Sequence, residues 1–547
     1  MSPARPGRPD QGRPGPPSAG KLRARTRRPG SRDRGAPVEP ALPAPDPARD
    51  VALAALRTVA DQDAYANLLL PGLLRRARLT GRDAAFATGL VYGTLRARGT
   101  LDAVLGACVD RPLTELDPAA LDVLRLGAYQ LLVLGTPAHA GVSSSVDLAR
   151  RAVGPGVSRL VNAVLRRVSV HPLQEWVDRV APAESVDPVA RLAVQARHPA
   201  WVVSAFRDAL GGSLAETAEA LAADNTAPLV TLAARPGRMT RADLMAEAVA
   251  VAAGPEAVTS GPQEAPDPDE AVVPEKPDPG EQPVDEPAAA SAPAEPAART
   301  GRWSPIAVVL SRGDPARLPA VRSGRAGVQD EGSQLVPLAL AAAPTAGADT
   351  GWWLDACAGP GGKAAMLAGL ADQIGARLLA GELQPHRARL VEGALRAASR
   401  ATAIVADATA APWALGSFDR VLLDAPCSGL GSLRRRPEAR WRRTPADLAA
   451  LRVTQRALLG AALRAVRPGG VVAYATCSPH LVETSVVVGD ALRDAARAEV
   501  PVRVERLHTA DWLPAGLGLP VDRDDAQLWP HRHGTDAMYL ALLRRTA

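Results

Sequence analysis

The chain has 547 residues, 64 basic against 58 acidic, and a net charge of +6. That length suits about three domains, and 47% hydrophobic residues are enough for several cores. No uncharged apolar run is long enough to cross a bilayer, the arginine- and proline-rich start has no apolar signal segment, and the four scattered cysteines (Cys108, Cys357, Cys427, Cys477) suit neither a disulfide framework nor a CxxC zinc site. A soluble, cytoplasmic protein without a metal is expected.

Residues 1–46 carry ten basic and four acidic residues among many prolines, and read as a disordered basic tail. Residues 47–172 read as an all-helical domain. Val157, Leu160, Val161, Val164, Leu165 and Val168 form one apolar stripe at helical spacing, and Leu121, Leu124, Tyr129, Leu131 and Leu132 point to a nearly all-buried helix. Residues 173–225 continue as a helical connector punctuated by Pro182 and Pro199. Residues 226–331 form a small α/β module, with strands at 229–232 and 306–310 and a helix at 240–251 capped by Thr240. An insert at 251–300 interrupts it. Residues 251–298 hold eleven prolines, eleven acids and one lysine, too few apolar groups for a core and the wrong charge to meet RNA.

From 332 to 547 strands and helices alternate, which implies βαβ units and a parallel sheet. Strands are expected at 352–355, 378–382, 403–407, 420–424, 471–476 and 538–543. In such a sheet ligands bind at the carboxyl ends of the strands. The first strand runs into Asp355-Ala356-Cys357-Ala358-Gly359-Pro360-Gly361-Gly362-Lys363. Its glycines let backbone N–H groups approach a ligand at a helix start. Cys357 and Ala364 stand where a phosphate-binding Walker loop needs Gly and Ser/Thr, so that reading fails. Only three lysines occur, and Lys363 alone lies outside the two low-complexity segments. Glu382 at the second strand end suits two ribose hydroxyls, and Asp407 at the third could face an adenine amino group.

Two further strands end in Asp424-Ala425-Pro426-Cys427-Ser428-Gly429-Leu430-Gly431 and in Thr476-Cys477-Ser478-Pro479. If these strands are neighbours, the two thiols meet, each followed by serine. Which of them attacks stays open, since both sit at strand ends. The following Arg434, Arg435, Arg436, Arg440, Arg442 and Arg443, with Trp441, read as a grip on nucleic-acid phosphates. A non-catalytic RNA-binding module and a cysteine hydrolase are the rivals. The intact glycine loop and thiol pair speak against both.

DACAGPGGK, LLDAPCSGLG and YATCSP resemble the signatures of the RNA 5-methylcytosine methyltransferase family, and DAAFATGLVYGTLR at 83–96, LRLGAYQL at 124–131 and VNAVLR at 161–166 resemble the NusB antitermination domain. The combination is similar to the RsmB/Sun layout. The resemblance implies a multidomain chain: a NusB-like helical RNA-binding domain at 47–172, an RNA-binding α/β module at 226–331, and a Rossmann-like domain using S-adenosylmethionine at 332–547. It implies methylation of a cytosine in 16S ribosomal RNA by a chain expected to be monomeric. It assigns attack to Cys477, assisted release to Cys427, a hydrogen bond to the cytosine edge to Asp424, and support to Lys363. The cofactor would be held by Cys357, Ala358, Gly359, Pro360, Gly361, Gly362, Lys363, Glu382, Arg387, Asp407 and Asp424. Gly359 stands where that family more often has Ala. Glu483 is the one acid kept where an acidic pair and Asn are usual, and Thr535-Asp536-Ala537-Met538-Tyr539 replaces the usual Asp-Gly-Phe-Phe.

Overall fold

A computed structural model describes residues 43–62, 64–253 and 296–547, and Ala44–Ala547 forms one compact unit. The expected basic tail (from 1 to 42) and the body of the acidic insert lie outside the described residues. The insert is shorter than the expected 251–300. A helix runs from Arg241 to Ala253, and Ala298–Thr300 is a strand because its backbone pairs with a neighbour.

The N-terminal part is helical throughout. Asp46 and Asp117 accept the amide N–H groups of Arg49 and Ala120, starting helices Pro47–Asp61 and Pro118–Leu132, each with proline in its first turn. The expected stripe lies on helix Pro155–Val168, where Val161, Val164, Leu165 and Val168 are buried against the long helix Gly81–Cys108 and its neighbours. In the connector, helices Pro188–Ala196, Ala200–Ala209 and Leu214–Asn225 share a second core with Leu430, Leu433 and Trp529. The connector is therefore packed onto the C-terminal domain.

The small module is an antiparallel sheet of β1 (Val230–Ala234), β2 (Ala298–Thr300), β3 (Ala307–Leu310) and β4 (Ala326–Val328), in the order β2-β3-β1-β4. Its helix Arg241–Ala253 is capped by the Thr240 hydroxyl as expected, and Leu244 and Ala248 pack on the sheet. The three-residue strands β2 and β4 carry too little pattern to be read from sequence.

The C-terminal sheet contains β5 (Trp352–Asp355), β6 (Arg377–Glu382), β7 (Ala401–Val405), β8 (Phe418–Asp424), β9 (Val466–Thr476), β10 (Val504–Leu507), β11 (Ala526–Gln527) and β12 (Tyr539–Arg545). The order is β10-β12-β9-β8-β5-β6-β7, with β11 beside β12. Strands β5 to β9 are parallel, but the sheet is mixed: β12 is antiparallel to both β9 and β10. Helix Ser485–Arg497 carries the chain across to β10, and the last strand then inserts into the gap without a helical crossover of its own. Apolar layers cover both faces. The chain begins in the middle at β5, builds outward to β7, and returns to the other side of β5 with β8. The crevice between β5 and β8 is thus the switch point at which such sheets bind ligands.

Candidate active site

The glycine loop leaves β5 and turns into helix Gly362–Gln373 at Gly361, whose φ of +108° suits glycine. Gly359 donates its N–H to Glu382 Oε2 (3.1 Å), Gln384 N–H donates to Oε1 (3.0 Å), and Arg387 spans to the Gly359 carbonyl (2.7 Å). A Cβ on Gly359 would stand 2.2 Å from Glu382 Oε2, so glycine at this position lets loop and carboxylate touch. The loop residues Cys357 to Lys363, Glu382 and Arg387 therefore form one cluster. Asp407 is not hydrogen-bonded into it. Strand β7 stops at Val405, two residues earlier than expected, and Asp407 lies exposed with its carboxylate accepting from Thr409 N–H and hydroxyl (2.9 and 2.7 Å).

Behind the loop, Asp355 is fully buried, and its Oδ2 has no hydrogen-bond partner in the structure. Burial, with the Asp424 charge beside it, pushes its carboxyl up to about 8. Across the switch point, Lys363 Nζ donates to Asp424 Oδ2 at 2.7 Å. Burial alone would lower this ammonium, but Asp424 holds it above its ordinary value. The loop amides, the uncompensated Asp355 oxygen, Glu382 and Asp424 line one edge of the sheet. Such an acid-rich set fits a cofactor with an amino group, a sulfonium and a ribose.

The registers of β8 and β9 place Asp424 opposite Ala475, and the two loops beyond converge. Cys427 and Cys477, both half-buried, have their sulfurs 3.4 Å apart. One residue on, the hydroxyls of Ser428 and Ser478 meet at 3.2 Å. The thiols are unequal. The hydrogen bond from Cys427 lowers Cys477, burial and Asp424 work against it, and Lys363 and Arg436 assist. Cys427 is held well above its usual range by the same hydrogen bond, by burial, and by the charges of Cys477, Glu483 and Asp424. The surroundings thus favour a negative charge on Cys477 over one on Cys427.

The arginine run is not a continuous phosphate grip. Arg440 is fully buried, donating to the carbonyls of Arg197 (3.0 Å) and Asp224 (2.9 Å) and to Asn225 Oδ1 (2.8 Å). Arg434 is buried and donates to Gly534 O (3.0 Å), and Arg442 reaches the carbonyls of Val59 and Ala64. Trp441 Nε1 donates to Leu95 O (2.8 Å). These side chains tie the segment after Cys427 to the helical domain. Arg435, paired with buried Asp536, half-exposed Arg436 and Arg442 and exposed Arg443 retain surface. Sequence reasoning passed over Asp355 as a site residue and left Glu483 as a mere remnant. The matched Cys-Ser pairs were the available sign of the network around Glu483.

A Rossmann-like sheet with a glycine loop and acids at its switch point, fused to a helical domain, is the architecture of an S-adenosylmethionine-dependent RNA methyltransferase. The 16S rRNA methyltransferase RsmB/F family matches residues 342–544, and the NusB family matches residues 46–170. A putative methyltransferase of Mycobacterium tuberculosis is 47% identical over 91% of this chain and 97% of its own length. The ribosomal RNA small subunit methyltransferase B of Pseudomonas syringae is 30% identical over 91% of this chain and 97% of its own. The crystal structure of PH0851 shares the fold, with a TM-score of 0.68 at 18% identity over 92% of this chain and all of that one. The chain belongs to the RsmB/F family of 16S rRNA methyltransferases. No helix among the described residues is long and apolar enough to cross a membrane.

Proposed function

We propose that this enzyme methylates C5 of a cytosine in cytoplasmic 16S ribosomal RNA through a covalent bond between Cys477 and C6 of the base. The observation that carries the reading is the unequal thiol pair, 3.4 Å apart at the switch-point edge beside Lys363 and Asp424. Cytosine C5 is a poor nucleophile. Attack by Cys477 Sγ forms the S–C6 bond and moves the C5–C6 electron pair toward C5 and the N3 edge. Asp424 orients that edge by a hydrogen bond, and the Lys363 ammonium paired with it offsets the developing negative charge. S-adenosylmethionine would be held by the 357–363 loop with Glu382, Arg387 and Asp407 and would supply the methyl group to C5. The C5 proton then passes to solvent, its C–H electron pair restores the C5–C6 double bond, and Cys477 leaves as a thiolate, with Cys427 assisting release. The base must leave any stack to reach the thiols. The helical domain and the small α/β module contact the RNA around it, and the enzyme works as a monomer.

The test is adduct formation. Cys477→Ala is expected to give no covalent protein–RNA species and no methylation. Cys427→Ala is expected to attack and methylate but release slowly, leaving an adduct that survives denaturing electrophoresis. An adduct in Cys477→Ala and none in Cys427→Ala would reverse the two roles.

A further inference from the structure

We infer that Glu483 is a positioning residue for the thiol pair: its buried carboxylate grips the serine behind each cysteine, holds the sulfurs at contact distance, and sets Cys427 as donor to Cys477. This rests on the two-thiol reading above and names a group that adds to the inequality of the thiols.

Glu483 is fully buried at the turn between β9 and helix Ser485–Arg497. Its oxygens accept from Ser428 N–H (2.8 Å), the Ser428 hydroxyl, the Ser478 hydroxyl (2.7 Å) and Gln455 Nε2 (3.1 Å). Gln455 also donates to Pro426 O (2.9 Å), immediately before Cys427. Tyr474 donates its hydroxyl to the Glu483 carbonyl at 2.7 Å. Every hydrogen-bond donor found on the carboxylate is neutral. Burying a carboxylate without a cation is costly, and two loops could be joined by a neutral amide or by apolar packing. A retained negative charge therefore has a use beyond joining them.

Its use follows from placement. The serine and cysteine contacts form two successive rungs between the loops, and Glu483 closes the serine rung. Cys427 faces Cys477, Glu483 and Asp424, with Tyr474 close by, so its surroundings are negative. Cys477 faces Asp424 but also Lys363 and Arg436. With Glu483 on one side and the two cations on the other, loss of a proton is favoured at Cys477 over Cys427.

The test uses full-length Glu483→Gln, which keeps the side chain's shape and removes its charge. Wild-type protein is expected to be alkylated by iodoacetamide at Cys477 in preference to Cys427, as read by peptide mass spectrometry across pH. Glu483→Gln should lower that preference by about tenfold, the effect of one unit of relative thiol acidity. The kcat should fall while the KM for RNA holds, and Glu483→Asp, which restores the charge, should recover part of both. A folded Glu483→Gln with the wild-type alkylation ratio, pH profile and kcat would overturn the inference. If that variant does not fold, the double variant Ser428→Ala/Ser478→Ala keeps the charge and removes both hydroxyl contacts. It should keep Cys477 as the preferred site yet lose kcat, and an unchanged kcat there would equally overturn the positioning role. Alkylation needs no RNA, so a shifted ratio in a protein that never forms an RNA adduct would uphold Glu483 and sink the cytosine chemistry instead.

Discussion

Replacing Arg440 with methionine tests whether the helical domain holds the active-site segment in place. The guanidinium is fully buried and donates to Arg197 O, Asp224 O and Asn225 Oδ1 at 2.8–3.0 Å, with a longer contact to Arg96 O at 3.3 Å. Hydrogen bonds from a charged donor are worth about 1.5–3 kcal/mol each. Against them stands burial, which lowers this guanidinium to about 9 and costs the charged form about 5 kcal/mol. Methionine relieves that penalty but takes the donor from Arg197 O, Asp224 O and Asn225 Oδ1. The expected loss is about 3 kcal/mol, concentrated at the seam where Arg96 donates to Arg434 O (3.2 Å), Ala66 N–H to Glu438 Oε1 (3.2 Å) and Trp441 to Leu95 O. Arg440→Lys should recover little, because a point charge cannot fork to several carbonyls. Calorimetry should show a lower or split first transition, and hydrogen exchange should rise in 90–100 and 428–443 together. A single transition at the wild-type temperature with unchanged exchange would refute the reasoning.

Three further outcomes follow from the same geometry. Gly431→Ala places a Cβ 2.0 Å from Ala537 O and 2.9 Å from Cys477 O, both backbone, so the two cysteine loops must separate; adduct yield on denaturing gels should collapse, and the melting temperature should fall. Glu382→Ala should weaken S-adenosylmethionine binding by about 1.5–3 kcal/mol in calorimetry, since a charged acceptor is lost and the Gly359 amide with it, and an unchanged affinity would remove Glu382 from the cofactor site. The pH profile of Cys477 alkylation should rise below the ordinary thiol range, because this thiol is lowered, and should move to higher pH in Cys427→Ala, where the donor mainly responsible is gone.

The placement of the candidate site was legible in the sequence because it sits where strands stop. Asp355, Glu382 and Asp424 end β5, β6 and β8 as the alternating pattern implied. Two motifs closing neighbouring parallel strands were enough to bring Cys427 to Cys477. Asp407 shows the limit: β7 ends two residues before it, so the acid lies on the turn after the strand and not at the strand's last residue. The late strand was found but not its direction, since antiparallel insertion depends on a gap left by an earlier crossover and not on the strand's own residues.

The arginine run failed for a deeper reason. An arginine forked onto carbonyls in a seam and one reaching for a phosphate are the same letter, and only the backbone path tells them apart. From Gly429 to Arg443 that path is irregular, with two single-turn helices at Leu430–Ser432 and Ala439–Arg442, so no helical face sorts its charges. Trp441 was the overlooked sign. Its ring lies so close to helix Gly81–Cys108 that a Cβ on Gly99 would stand 2.3 Å away. The segment that begins at the donor thiol thus ends inside the helical domain, and Arg435 turns back to Asp536, which survives within the altered C-terminal motif. Arg96 of the helical domain donates to Arg434 O at 3.2 Å, and three residues earlier Gly431 N–H bonds Cys477 O at 2.8 Å. The helical domain is therefore joined to the Cys477 loop through covalent and hydrogen-bonded steps alone.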